Sequence, residues 1–87
     1  MEFESTSVFD KDVKKLDRNE RRQLKAVLEK ISLQPDSGKP LHHYANVFSR
    51  RVCERRLVYQ YKSGEKRILL LLYKNRDEAH EELKSIG

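Results

Sequence analysis

The sequence predicts an α+β fold, a helical hairpin packed on a small, mainly antiparallel sheet in the order β-α-α-β-β-β-α. Three observations predict it. Leu24, Val27, Leu28 and Ile31 recur at i, i+3, i+4 and i+7, the spacing of a helix that buries one stripe. From Val47 onward the pattern shifts to short runs rich in β-branched and aromatic residues, broken at Ser63-Gly64. The run Ile68-Leu69-Leu70-Leu71-Leu72 lacks alternation, as a strand covered on both faces does. With 87 residues, 37% of them hydrophobic, residues 1–87 form one domain with apolar material for a single thin core.

Each element has its own local reason. Glu2 to Thr6 alternates weakly, as an edge strand does. Ser7 is the expected cap of a first helix that carries Val8, Phe9, Val13 and Leu16 inward and leaves Lys11, Lys14 and Lys15 to solvent. Asp17 with Glu20 three residues on has capping-box spacing and starts the second helix. Pro35 ends that helix, and Gln34 to Pro40 reads as a loop. Val47 to Cys53, Arg55 to Lys62 and Arg67 to Lys74 are the expected strands. Asn75 or Asp77 is the candidate cap of a last short helix burying Ala79, Leu83 and Ile86.

Composition narrows the function. The net charge is +5, which favours an acidic partner such as nucleic acid or an acidic protein. Cys53 is the only cysteine, so neither a disulfide framework nor a cysteine-built zinc site is available. No apolar run approaches the roughly 18 residues of a membrane span. No secretory leader is visible, and the expected location is the cytoplasm. No Gly-rich phosphate loop, GxSxG or HExxH occurs, and no cofactor or metal is expected. His42-His43 lacks a carboxylate at metal spacing.

The cations cluster. Arg50, Arg51, Arg55, Arg56, Lys62, Lys66, Arg67, Lys74 and Arg76 all fall in the expected strands and their rims. Alternation puts Ser49 and Arg51 on one side and Phe48, Arg50 and Val52 on the other. It likewise separates Arg56, Val58 and Gln60 from Arg55, Leu57, Tyr59 and Tyr61. Arginines on the face that receives the helices must sit at a strand end or find partners. The remainder form a basic face with Tyr and Gln interleaved, a surface suited to RNA phosphates and unstacked bases. RNA cleavage needs no side-chain nucleophile. The 2′-hydroxyl attacks the adjacent phosphate, given a proton acceptor, a proton donor and positive charge at the developing dianion.

Pro40-Leu41, Ser49-Arg50-Arg51-Val52 and Arg55-Arg56-Leu57-Val58-Tyr59 together resemble the RelE/YoeB family of toxins from toxin–antitoxin pairs, within the RelE/ParE superfamily. The family's element order is the one derived above, so the resemblance covers nearly the whole chain. It implies a ribosome-dependent mRNA endonuclease silenced by a RelB/YefM-like antitoxin, acting on ribosome-bound mRNA without a cofactor. By position, Arg51 and Arg56 match arginines that contact the mRNA phosphates around the cut. Lys74 falls on a catalytic arginine and His80 on a base-stacking tyrosine. Arg50, Arg51, Arg55, Arg76, Lys39 and His43 are the RNA-binding candidates. The chain also departs from the family: Lys39 replaces a glutamate, the C-terminal His-Tyr pair is absent, and lysines of the first long strand fall near Val47 and Ser49. Proton transfer is therefore left to a set such as Lys39, His42, His43, Lys74 or His80. Two alternatives stand beside this reading: a ParE-like toxin that inhibits DNA gyrase without cutting RNA, and a basic interaction module without catalysis.

Overall fold

The computed structural model describes residues 1–41 and 43–75. His42, Arg76 and His80, with the expected last helix, lie outside the described residues. The described elements are β1 (Glu2–Ser5), α1 (Ser7–Lys14), α2 (Arg18–Leu33), β2 (Lys39–Pro40), β3 (Val47–Val52), β4 (Arg55–Lys62) and β5 (Arg67–Asn75). A single 3₁₀ turn, Ser63–Glu65, joins β4 to β5. The five strands form one open sheet in the order β1-β5-β4-β3-β2. All neighbours are antiparallel except β1 and β5, which run parallel.

Two expectations on local structure are corrected. Thr6, not Ser7, caps α1: its Oγ1 accepts from the Phe9 N–H at 3.1 Å and donates to the Leu71 carbonyl at 2.6 Å. One hydroxyl thus ends β1, starts α1 and ties both to β5. Lys39 and Pro40, expected in a loop, pair with Ser49 and Phe48 at the sheet edge. Asp17 caps α2 as its spacing predicts, accepting from the Glu20 N–H at 2.8 Å.

The main core lies between α2 and one face of the sheet. Leu24 and Ile31 are buried there against Val52, Leu57, Tyr59, Ile68, Leu70 and Tyr73, with Val27, Leu28 and Phe48 partly buried around them. Tyr59 stacks on Phe48 with centroids 5.6 Å apart and donates to the Pro35 carbonyl at 2.9 Å. That bond satisfies its hydroxyl within the core. A smaller cluster of Val47, Val58 and Leu72 lies on the opposite face, joined by Val8, Leu41, Tyr44 and Leu71. The unalternating leucine run is thus buried on both sides.

Register within that run decides where the candidate site residues point. Val58 pairs with Leu72 but Tyr59 pairs with Leu70, so Leu71 is the extra residue of a bulge. Strict alternation from Ile68 puts Leu72 and Lys74 on the helix-covered face. The bulge instead turns Leu72 into the opposite cluster and returns Tyr73 to the main core. Lys74 is thereby carried to the face that bears Arg56.

Candidate functional site

Antiparallel pairing aligns Arg51 with Arg56, and Arg56 with Lys74. Three cations from β3, β4 and β5 therefore stand in one row across the sheet, on the face away from α2. Directly opposed side chains have Cβ atoms about 4.5–5.5 Å apart, and like charges so placed oppose folding. Arg51 opposite Arg56 therefore costs stability that a neutral pair would not.

Local contacts fix each cation. The Arg56 guanidinium donates through Nη1 to Ser49 Oγ at 2.8 Å, and Ser49 is only 2% exposed. Arg51 is exposed, with its Nε donating to the Cys53 carbonyl at 3.1 Å. Lys74 Nζ forms an ion pair with Asp12 Oδ1 at 2.6 Å, and the Asp12 residue is 3% exposed. The other oxygen of Asp12 accepts the Tyr73 N–H at 3.0 Å. Past the end of β1, Asp12 takes the place of a neighbouring strand along β5. Lys39 pairs with Ser49 and so shares this face, while remaining exposed. A depression of about 100 Å³ at the end of the row is lined by Arg51, Glu54, Arg55 and Arg56.

The remaining sequence candidates are placed differently. Arg55 lies on the covered face, where its Nε meets Glu20 Oε2 at 2.9 Å and its guanidinium carbon sits 5.9 Å from the Tyr73 ring centre. Arg50 has the parity of the covered face and donates to Ser37 Oγ at 3.0 Å. Both meet the requirement that cations on that face find partners, and neither joins the row. His43 is exposed in the turn after β2. Cys53 is exposed and its thiol donates to Gln23 Oε1 at 3.1 Å, in a larger hollow of about 520 Å³ beside Glu20 and Glu54. With two carboxylates and one arginine already paired, that hollow does not suit a phosphate. Among the described residues no three His, Cys, Asp or Glu are grouped to hold a metal.

Two residues that shape the row carried signals in the sequence. Asp12 follows Phe9 by three residues and precedes Leu16 by four, so it sits in the apolar stripe of α1. A carboxylate there needs a buried partner, which Lys74 supplies. Ser49 has the parity of Arg51, one strand from Arg56, and holds the guanidinium that a longer residue would displace.

Chemically, the row concentrates positive charge on a plane, with one arginine anchored by a buried hydroxyl. Arginine binds two phosphate oxygens at once, and a fixed guanidinium stabilises charge without reorganising as it develops. The phenols of Tyr59 and Tyr73 are pushed above their usual value by burial. Gly38 and Arg50 partly oppose this at Tyr59, and Arg55 does so at Tyr73. Both phenols belong to the covered face and remain neutral there.

No protein-family model and no curated protein matches the chain. Solved structures do. The isolated Escherichia coli RelE toxin superposes with a TM-score of 0.77 at 20% identity, covering 99% of this chain and 98% of that one. A YoeB/ParE toxin from Agrobacterium tumefaciens gives 0.76 at 20% identity, covering 87% and 99%. The RelBE2 toxin–antitoxin complex from Mycobacterium tuberculosis contains a chain 30% identical to this one, with a TM-score of 0.67 and coverage of 86% and 96%.

Proposed function

Because the chain belongs to the RelE/ParE superfamily of toxins from toxin–antitoxin systems, we propose that it cuts ribosome-bound mRNA and so stops translation. The observation that carries this reading is the row of Arg51, Arg56 and Lys74 on one open face. Asp12 takes up the charge of Lys74, and Arg51 and Arg56 stand side by side with no ion pair to another described residue.

In the proposed reaction the ribose 2′-oxygen attacks the adjacent phosphorus and loses its proton to a base. The bond from phosphorus to the 5′-oxygen breaks, and that oxygen takes a proton as it leaves. The products are a 2′,3′-cyclic phosphate and a 5′-hydroxyl end. Negative charge grows on the non-bridging oxygens in the transition state, so a cation fixed beforehand helps most at that point. Arg56, held by Ser49, takes this role. Arg51 positions a neighbouring phosphate. Lys74 adds charge from the far side of Arg56, with its place set by Asp12. Lys39 and His43 flank the row as candidates for proton transfer, and His80 for base stacking. Arg50, Arg55 and Arg76 are assigned outer RNA contacts at most.

The partner proposed is a cognate antitoxin. RelE is paired with RelB in complexes from E. coli and Methanococcus jannaschii, and the present chain has a basic face for an acidic segment to cover. Such a segment folds on binding and lays apolar anchors beside the helical hairpin. Affinity should therefore fall partway between about 0.05 and 0.5 M salt and then level off on an apolar remainder. Salt-independent binding would remove the electrostatic half of the proposal. No described helix is long and apolar enough to cross a membrane, and the proposed site of action is the cytoplasm, on ribosomes.

The test is single-turnover cleavage on programmed ribosomes, read by primer extension, with gyrase supercoiling assayed in parallel. Cleavage by the parent protein and its loss in Arg56→Ala supports the reading. A parent that leaves mRNA uncut but blocks gyrase replaces it with the ParE-like alternative. Inactivity in both assays leaves a basic interaction module.

A further inference from the structure

Aromatic rings are placed unevenly in this fold. The chain has four tyrosines and three phenylalanines. Phe9, Tyr59 and Tyr73 are buried in the main core, and Phe48 and Tyr61 pack against it. Phe3 stands on the edge strand β1 beside Ile68. Tyr44 alone among the described residues brings a ring to the smaller cluster of Val47, Val58 and Leu72, on the face that bears Arg56. It is half-buried there, so part of the side chain stays open to solvent.

Backbone bonds hold the turn that carries it. The Leu41 N–H donates to the Val47 carbonyl at 2.9 Å, and the Tyr44 N–H donates to the Leu41 carbonyl at 3.2 Å. Asn46 takes a left-handed conformation with φ 58°, and its carbonyl accepts the Tyr61 N–H at 2.9 Å. Asparagine reaches that conformation more readily than most residues. The turn is thus fixed before any ligand arrives. Val47, where it closes, is four residues from Arg51 along β3, or about 13 Å. That span is about four stacked nucleotides at most. Between the two ends Ser49 pairs with Val58. One strip of sheet therefore runs from the cations through Ser49 and Val58 to an aromatic ring.

We propose that Tyr44 is a stacking platform for an unpaired base of the RNA strand whose phosphates lie on Arg51 and Arg56. Charge at one end of the strip and a half-open ring at the other suit a single strand, whose phosphates take the cations while a splayed base lies on the ring. A duplex keeps its bases stacked inside and would leave the ring unused. Packing alone does not ask for a ring, since Val8, Leu41 and Leu71 complete the same cluster with aliphatic side chains. Tyrosine adds a flat face for a base and a hydroxyl that suits a wet boundary. Every base has a face to stack, so the platform sets where a base lies and carries only a modest preference among bases. The choice of RNA rests on the cleavage reading of the row; the stack itself does not.

The test uses a short single-stranded RNA of uridines with 2-aminopurine as its only purine, at about 50 mM salt. Stacking on a ring quenches the fluorescence of that base. The parent, Tyr44→Phe and Tyr44→Leu are compared, each checked for folding by urea unfolding. The parent and Tyr44→Phe should quench the probe. Tyr44→Leu should lose the quenching and bind about tenfold more weakly, as removal of one base–aromatic stack does. Tyr44→Trp gives an independent reading, because the chain has no tryptophan: an unlabelled strand should quench the indole fluorescence of that variant. Equal quenching and affinity in Tyr44→Leu overturn the proposal and leave Tyr44 a packing residue. So does an indole unquenched at saturating RNA, or a parent that fails to bind the strand. A loss in Tyr44→Phe as large as in Tyr44→Leu overturns the stack in favour of the hydroxyl. A DNA strand of matching sequence that binds more tightly overturns the choice of RNA. A parent that shows the stack yet leaves ribosomal mRNA uncut removes the cleavage reading alone, and one that cuts without the stack removes the proposal alone.

Discussion

Arg55 and Arg56 are neighbours on β4, yet the sheet sends them to opposite faces with opposite fates. Arg55 points toward the helical layer, where Glu20 neutralises it and the Tyr73 ring lies beside it. Arg56 points to the face away from α2, between Arg51 and Lys74, with the Ser49 hydroxyl as its partner. A helix layer brings its own acids, so charges beneath it become structure. The other sheet face receives one acid, Asp12 of α1, which takes up Lys74, so Arg51 and Arg56 are the cations left there for a ligand. Side-chain chemistry is identical at the two positions, and parity alone separates the brace from the proposed binding group.

The comparison can be broken at several points. Arg56→Ala should lower single-turnover cleavage by about 10²–10³, or roughly 3–4 kcal/mol, as loss of a preorganised donor to a developing oxyanion does. Lysine at 56 should rescue poorly, because a point charge lacks the guanidinium fork. Antitoxin binding should weaken little, and a well-folded Arg56→Ala protein with full cleavage would remove Arg56 from the mechanism. Next in size is Gly38→Ala, at the rim of the covered face. A Cβ there would lie 2.8 Å from the Tyr59 hydroxyl and 3.1 Å from both Phe48 Cβ and the Ser49 carbonyl oxygen. Tyr59 is buried and hydrogen-bonded and cannot swing away, so urea unfolding should show a loss of about 1–3 kcal/mol.

Smaller still is Arg55→Ala, which should cost about 1 kcal/mol of stability for a partly exposed pair and its ring contact. Cleavage per folded molecule should not change. A cleavage loss as large as that of Arg56→Ala would erase the distinction between the faces. The least effect concerns pH. Tyr59 and Tyr73 have folded pKa values raised above the ordinary 10.0. Below pH 10 both phenols are neutral in either state. Above it the unfolded chain ionises first, so stability falls as pH climbs from 10 toward the folded values. Tyr59→Phe and Tyr73→Phe should each flatten that alkaline decline.

Periodicity made much of this frame legible. The stripe Leu24 to Ile31, the Asp17 cap and the full extent of Arg55–Lys62 agree with the structure because each rests on local spacing. The separation of Arg51 and Arg56 from Arg50 and Arg55 follows from alternation in the same way. The face on which Lys74 stands was not legible. Its face depends on the bulge at Leu71, and five consecutive aliphatic residues give no hint where a register shift falls. The β2 pairing and the parallel direction of β1 were hidden for a related reason. Both are set by partners far along the chain, and a strand of two to four residues has too few positions to declare them. Asp12 sat in plain view within an apolar stripe, but its meaning required knowing that Lys74 would arrive beside it.

The parallel pairing of β1 with β5 also orders the assembly of the molecule in time. Every residue pair in that ladder is 65 positions apart, from Glu2 with Arg67 to Ser5 with Leu70. The β3-β4-β5 ladders are instead closed by short turns. Loop-closure entropy grows with separation, so the meander is expected to form first and the β1-α1 segment to dock last. Arg51, Arg56 and Lys74 are then aligned before Asp12 reaches Lys74. During synthesis, β1 must wait unpaired until residues 67–70 have been made. The N-terminal segment acts as a late latch on a sheet already built. Weakening the latch, at Thr6 or Asp12, should chiefly speed unfolding and leave the folding rate almost untouched.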